Sequence, residues 1–137
     1  MASPAAPATT DSASASFSLS RIGQIAVNVR DAARAASFYR DTLGVPFLFA
    51  AGPLAFFQCG ATRLMLSPAE AAEFDHPSSV LYFTVDDIAA AFALLRRRGV
   101  VFRDEPHVVH RAADHELWMA FFKDTEGNTI GIMSEVR

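Results

Sequence analysis

The chain has 137 residues, of which 51% are hydrophobic and 12 are Phe, and it carries a net charge of -3. That length and apolar content give one domain with a real core. The acidic balance argues against nucleic acid as the main partner, because phosphate binding needs a concentrated basic surface. The single cysteine, Cys59, excludes an intrachain disulfide and any cysteine-based zinc cluster.

Residues 1–18, "MASPAAPATTDSASASFS", hold too little apolar bulk to repay ordering and are expected to form a disordered tail. They lack the basic start and continuous apolar run of a secretory signal, and no apolar run approaches the ~20 residues needed to span a bilayer. The expectation is a cytoplasmic protein without membrane contact. One domain follows over residues 19–137, with modules at 19–68 and 78–137 and a linker at 69–77.

From Arg21 the pattern is regular. "IGQIAVNV" alternates as a half-buried strand should. Asp31 caps a helix through "AARAASFYRDTL", closed by Gly44. Three short strands follow, "VPFLF", "LAFFQC" and "TRLMLS", and then a polar connection, "SPAEAAEFDHPSS", with room for a short helical turn. The cycle then restarts: the strand "SVLYFTV", a helix opened by Asp86-Asp87 and closed by Gly99, the strand "VVFRDEP" and the loop "HVVHRAADH". A hairpin of "ELWMAFFKD" and "NTIGIMSEV" around Thr125-Glu126-Gly127 ends the series. Arg96, Arg97 and Arg98 read as a helix end complementing the dipole.

The order is therefore βαβββ twice. Val29 matches Val85 and Asp31 matches Asp87, an internal duplication. Two such modules predict an α+β fold: two tandem βαβββ units forming a curved mixed sheet around a cleft, with each helix on one sheet face. By period two, Ile25, Val27 and Val29 face the helix, leaving Gln24, Ala26 and Asn28 on the other side. The same reasoning turns Arg63, Met65 and Ser67, then Val80, Tyr82 and Thr84, then Thr129, Gly131 and Met133 toward the cleft. This mixed polar and apolar set suits a small-molecule pocket.

The stretches "IGQIAVNVRDAARAASFYRDTLGV", "SSVLYFTVDDIAAAFALLRRRGVVF" and "FFKDTEGNTIGIMSE" resemble the vicinal oxygen chelate superfamily. It includes glyoxalase I, bleomycin-resistance proteins, methylmalonyl-CoA epimerase and extradiol dioxygenases. The resemblance implies a divalent metal in catalytic members, held by the first and last strands of each module, usually through His, Gln or Glu. Carried over, those positions are Gln24, Met65, Val80 and Gly131. Only Gln24 offers a donor, and a first-row metal needs about three protein ligands. The reading is that the usual metal centre is absent, with no cofactor expected, and that the bare Gly131 opens room in the cleft.

"HRAADHELWMAFFKD" resembles a metal-poor subgroup of the family. His115 and Glu116 are its candidates for acid–base work, or else they fix the loop. His107 and His110, three apart, are expected on opposite faces of an extended strand. With His115 and Glu116 they are the residues from which a relocated metal site would have to be built.

The sequence thus points to a metal-free binding protein for a small organic ligand, of the bleomycin-resistance type. The ligand-facing candidates are Gln24, Asn28, Phe49, Phe57, Arg63, Met65, Val80, Tyr82, Trp118 and Gly131. The alternative is a glyoxalase-like lyase or isomerase using a metal at non-standard positions. An extradiol dioxygenase lacks its iron ligands. Family members commonly dimerise, so a homodimer is expected, with the cleft inside one chain or shared between two.

Overall fold

The computed structural model describes residues 16–137. Of the tail expected over 1–18, residues 1–15 lie outside the described residues. The first sheet contains β1 (Gln24–Asn28), β2 (Phe47–Ala51), β3 (Leu54–Cys59) and β4 (Thr62–Ser67), in the order β1-β4-β3-β2. The second contains β5 (Leu81–Thr84), β6 (His107–Arg111), β7 (Glu116–Lys123) and β8 (Thr129–Val136), in the order β5-β8-β7-β6. β1 runs parallel to β4 and β5 parallel to β8, while the other neighbours are antiparallel. The two modules thus repeat one topology, as the duplication implies.

Helix α1 (Ala32–Ser37) follows β1, and α2 (Ile88–Arg97) follows β5. The carboxylates of Asp31 and Asp87 accept from the backbone N–H groups of Arg34 (3.1 Å) and Ala90 (3.0 Å). Each satisfies a donor that a helix start leaves unpaired and contributes about 1 kcal/mol. The glycines closing the two helical segments, Gly44 and Gly99, take φ of 74° and 93°, values that a Cβ would strain. α1 does not end as a plain α-helix. Phe38–Thr42 continue in π-helical turns, with Leu43 N–H donating to Phe38 C=O at 3.0 Å.

Each helix packs on its own sheet, and the modules meet through their helix sides. One core results, with Val27, Tyr39, Phe57 and Leu66 from the first module and Leu95, Phe122, Ile130 and Ile132 from the second. The modules are also clasped by the turn between β7 and β8. Buried Asp124 accepts from the Tyr39 hydroxyl (2.7 Å), the Glu126 and Asn128 backbone N–H groups (2.8 and 2.9 Å) and Asn128 Nδ2 (3.0 Å). Glu126 accepts from the backbone N–H groups of Arg30 and Asp31, at the threshold of α1.

The third strand of the second module differs from expectation. "VVFRDEP" forms only an isolated bridge, Phe102 with Phe122, and the strand is His107–Arg111 within the expected loop. Phe102 is drawn into the core, its ring 4.6 Å from Phe92 and 5.1 Å from Phe122 between centroids. Pro106 lacks an N–H to carry a ladder through.

Candidate functional site

Each sheet keeps one face free of helix. On the first sheet the register aligns Gln24, Arg63 and Gln58 in one row across β1, β4 and β3, and Ala26, Met65 and Phe56 in the next. Phe49 joins from β2, paired with Phe56, and their rings stack at 4.7 Å and 27°. On the second sheet the corresponding row is Tyr82, Gly131 and Phe121. Tyr82 and Phe121 meet edge to face at 5.8 Å and 84°. The Arg103 guanidinium lies 5.0 Å over the Phe121 ring, and its backbone N–H donates to Phe121 C=O at 2.8 Å.

Both open faces are exposed in the single chain: Phe49 retains 50% of its accessible surface and Tyr82 49%. Gln24, Met65 and Arg63 share the first face, while Tyr82 and Gly131 share the second. Val80 lies just outside β5 and, with Tyr82, lines a recess of about 400 Å³ beside Ile25, Thr62 and Leu64. Asn28 is engaged elsewhere. Its Nδ2 donates to the carbonyls of Phe74 (2.8 Å) and His76 (2.6 Å), tying the linker to the end of β1.

Two expected ligand contacts belong to the core instead. Phe57 is 0% exposed and sits on the helix side, its ring 6.0 Å from Tyr39; its neighbour Phe56 is the open-face residue. Trp118 shares the helix side with Ala120 and Phe122 and packs against the core, while Met119 and Phe121 take the open side. In "LAFFQC" and "ELWMAFF" apolar residues occupy both faces, so period two alone does not choose between them.

The histidines also rearrange. Register shifts between Val108 and His110: His107 pairs with Met119 and His110 with Leu117. Residues 117 and 119 share a face, so the β-bulge at Val109 places His107 and His110 on the same open face rather than opposite ones. His115 Nδ1 donates to Asp114 Oδ1 (2.8 Å), and Arg137 Nη1 donates to Asp114 Oδ2 (2.8 Å). Glu116 accepts from Arg111 Nε (2.9 Å) and Trp118 Nε1 (3.2 Å). These two bonds hold its carboxyl below the ordinary range, which suits an ion-paired tether better than a proton donor near neutrality. Partial burial pushes the Cys59 thiol up, away from the nucleophilic thiolate.

The four family metal positions do not fit a divalent cation. Gln24 supplies one amide oxygen, and its Nε2 lies 3.9 Å from Met65 Sδ, a thioether that is a poor partner for a hard ion. Gly131 is not open space. A Cβ there would lie 2.9 Å from Phe121 Cε1 and 3.0 Å from Tyr82 Cδ2, so the rings already fill the place of a side chain. The expected room at Gly131 is therefore corrected: the glycine makes way for an aromatic pair. Among the described residues no three His, Cys, Asp or Glu side chains cluster closely enough to hold a metal. No helix among them is long and apolar enough to cross a membrane.

Solved structures share this architecture. TnmS3, an antibiotic binding protein from Streptomyces sp. CB03234, is 25% identical, with a TM-score of 0.69 over 87% of this chain and 98% of that one. A virulence protein from Salmonella typhimurium is 20% identical, with a TM-score of 0.73 over 88% and 100%. A lactoylglutathione lyase from Agrobacterium tumefaciens is 22% identical, with a TM-score of 0.65 over 84% and 93%. No curated protein sequence matches the chain significantly. The family model that matches covers residues 21–132, and with the repeated βαβββ modules it shows that the chain belongs to the Glyoxalase/Bleomycin resistance protein/Dioxygenase superfamily.

Proposed function

We propose that this protein binds a small organic molecule on its open sheet faces without a metal, as a homodimer. The observation that carries the reading is Gly131: the aromatic edge of Tyr82 against Phe121 occupies the space of the family's acidic ligand. Met65, Val80 and Gly131 leave a cation with too few donors, whereas Phe49, Phe56, Met65, Tyr82 and Phe121 make two apolar platforms. An antibiotic binding protein among the similar structures supports the same direction.

Exposure supports the homodimer. Two faces, each with a half-exposed aromatic, stand open on one chain, and a second copy would cover one with the other and enclose the ligand between them. His115 and Glu116 have a tethering role at the β6–β7 connection in this reading.

Thermal unfolding with EDTA, with added divalent metals and with a panel of planar aromatic compounds tests the proposal. Indifference to EDTA and a rise with organic ligands are expected. Stoichiometric Ni, Zn, Mn or Fe in the purified protein, with a large loss of Tm in EDTA, overturns it. Sedimentation tests the assembly, and a monomer at micromolar concentration removes the shared cleft.

A further inference from the structure

We infer, resting on the binding reading above, that the first sheet's open face selects a flat aromatic anion, with its anionic head on Arg63 and its ring system on Phe56 and Phe49. Arg63 stands in mid-row between Gln24 and Gln58 and is exposed. Its guanidinium has no hydrogen bond or ion pair with any described residue. Three other arginines, by contrast, are ion-paired: Arg40 with Asp41, Arg111 with Glu116 and Arg137 with Asp114. No acid shares the face of Arg63. The strands present Gln24, Ala26 and Asn28, then Arg63, Met65 and Ser67, then Leu54, Phe56 and Gln58. A chain of net charge -3 thus leaves a single unneutralised cation on this surface.

The guanidinium fork matches a carboxylate in a bidentate way, and each flanking amide has a second N–H beside the one given to Met65 Sδ by Gln24 and to Gly60 C=O by Gln58. The next row along the strands, about 6.6 Å away at two residues' rise, is the aromatic platform. There Phe49 and Phe56, stacked on each other with ring centroids 4.7 Å apart, set an aromatic pair beside Met65. A cationic row beside an aromatic row is complementary to a fused ring bearing one carboxylate. It matches neither a neutral hydrocarbon nor a polyphosphate, which needs several cations.

Isothermal titration of the full chain with 2-naphthoate and its neutral counterpart 2-naphthamide tests this. The wild type is expected to bind naphthoate about tenfold or more tightly than the amide, as for one charge-assisted pair. Arg63→Met erases that preference while still binding the amide, Arg63→Lys keeps part of it, and Phe56→Ala weakens both probes. Arg63 is exposed, and matching unfolding midpoints establish that its variants fold. Equal affinities in the wild type, a preference surviving in Arg63→Met, or no binding of either probe overturns the anionic class. Stabilisation by other organic ligands would then leave the binding reading standing, whereas metal-dependent stabilisation removes both.

Discussion

The two modules share a backbone plan and solve one packing problem in opposite ways. In the first, the open-face row sets small Ala26 on β1 beside bulky Met65 on β4; in the second, bulky Tyr82 on β5 stands beside bare Gly131 on β8. Each pair has one large and one small member, and the order is reversed. Volume across a parallel strand pair is therefore conserved while donor chemistry is not, so an acid cannot simply be restored in the second module. The hairpin turns differ too. The β3–β4 turn closes on itself, with Gln58 Nε2 donating to Gly60 C=O at 2.7 Å. The β7–β8 turn reaches across to the other module through Asp124 and Glu126.

That second asymmetry gives the largest expected effect. Asp124→Ala strands the buried Tyr39 hydroxyl and two part-buried backbone donors, and unpaired buried polar groups cost about 1–3 kcal/mol each before relaxation and water entry. A net loss of about 3 kcal/mol is expected in urea unfolding. Ala61→Ser in the β3–β4 turn is expected to change stability by less than about 0.5 kcal/mol. Equal losses from the two turns would remove the asymmetry.

Gly131→Glu comes next, because it asks the second module to carry the family's acid. The backbone of Gly131 is not left-handed, so the cost is steric and electrostatic: a Cβ at 2.9 Å from Phe121 and a carboxylate pressed between two aromatic rings. About 2 kcal/mol is expected. Tyr82→Ala in the same chain should recover part of it, because it makes room as Ala26 does for Met65. Met65→Glu, beside Ala26, should cost less than Gly131→Glu. The reverse ranking of unfolding midpoints would sink the volume-exchange account.

Tyr39 has no polar counterpart in the second module, where Leu95 holds the equivalent place in α2. Burial, followed by the charge of Asp124 and the hydrogen bond to it, raises the Tyr39 hydroxyl far above its ordinary value. An unfolded tyrosine ionises near pH 10. The folded state's advantage is thus fully present below about pH 10 and is lost as pH rises beyond it. Tyr39→Phe should cost about 1 kcal/mol at neutral pH and shrink the alkaline fall in stability. An unchanged alkaline limb would mean that Tyr39 does not carry it.

Much of this is legible in the amino-acid sequence. Alternation in "QIAVN" and "TIGIM", the caps Asp31 and Asp87, and the closing glycines fix strands and helices locally, because each rests on a residue's own backbone chemistry. The pairing of Gln24 and Met65 on one face was legible for the same reason. What escaped depends on events that alternation does not encode. A single inserted residue, Val109, moves His110 to the face of His107. Phe57 and Trp118 lie in strands apolar on both sides, where the face that the helix and the shared core cover is decided by tertiary packing. The emptiness of Gly131 was visible, but the rings that fill it come from β5 and β7. The Asp124 clasp joins residues 85 apart in sequence, and nothing local announces it.

The smallest effect concerns the strand connections at the outer edges. The first module joins β2 to β3 through uncharged Gly52-Pro53; the second joins β6 to β7 beneath a charged set. Hydrogen bonds from His115 and Arg137 hold the Asp114 carboxyl below its ordinary range, and those from Arg111 and Trp118 do the same for Glu116. Depressed carboxyls contribute stability that is present above the unfolded value near pH 4 and lost as pH falls through the lower folded value. Both carboxylates are solvent-exposed, so the contribution is screened. Acid should therefore loosen the β6 edge before the β2 edge. Amide hydrogen exchange at pH 3.5 and at pH 7, corrected for intrinsic rates, reads this directly. The protection of β6 relative to β2 should drop at the lower pH, and Glu116→Gln should remove part of that drop. If the two edge strands lose protection in parallel, the charged connection has no special part in acid fraying and the modules' edges are equivalent.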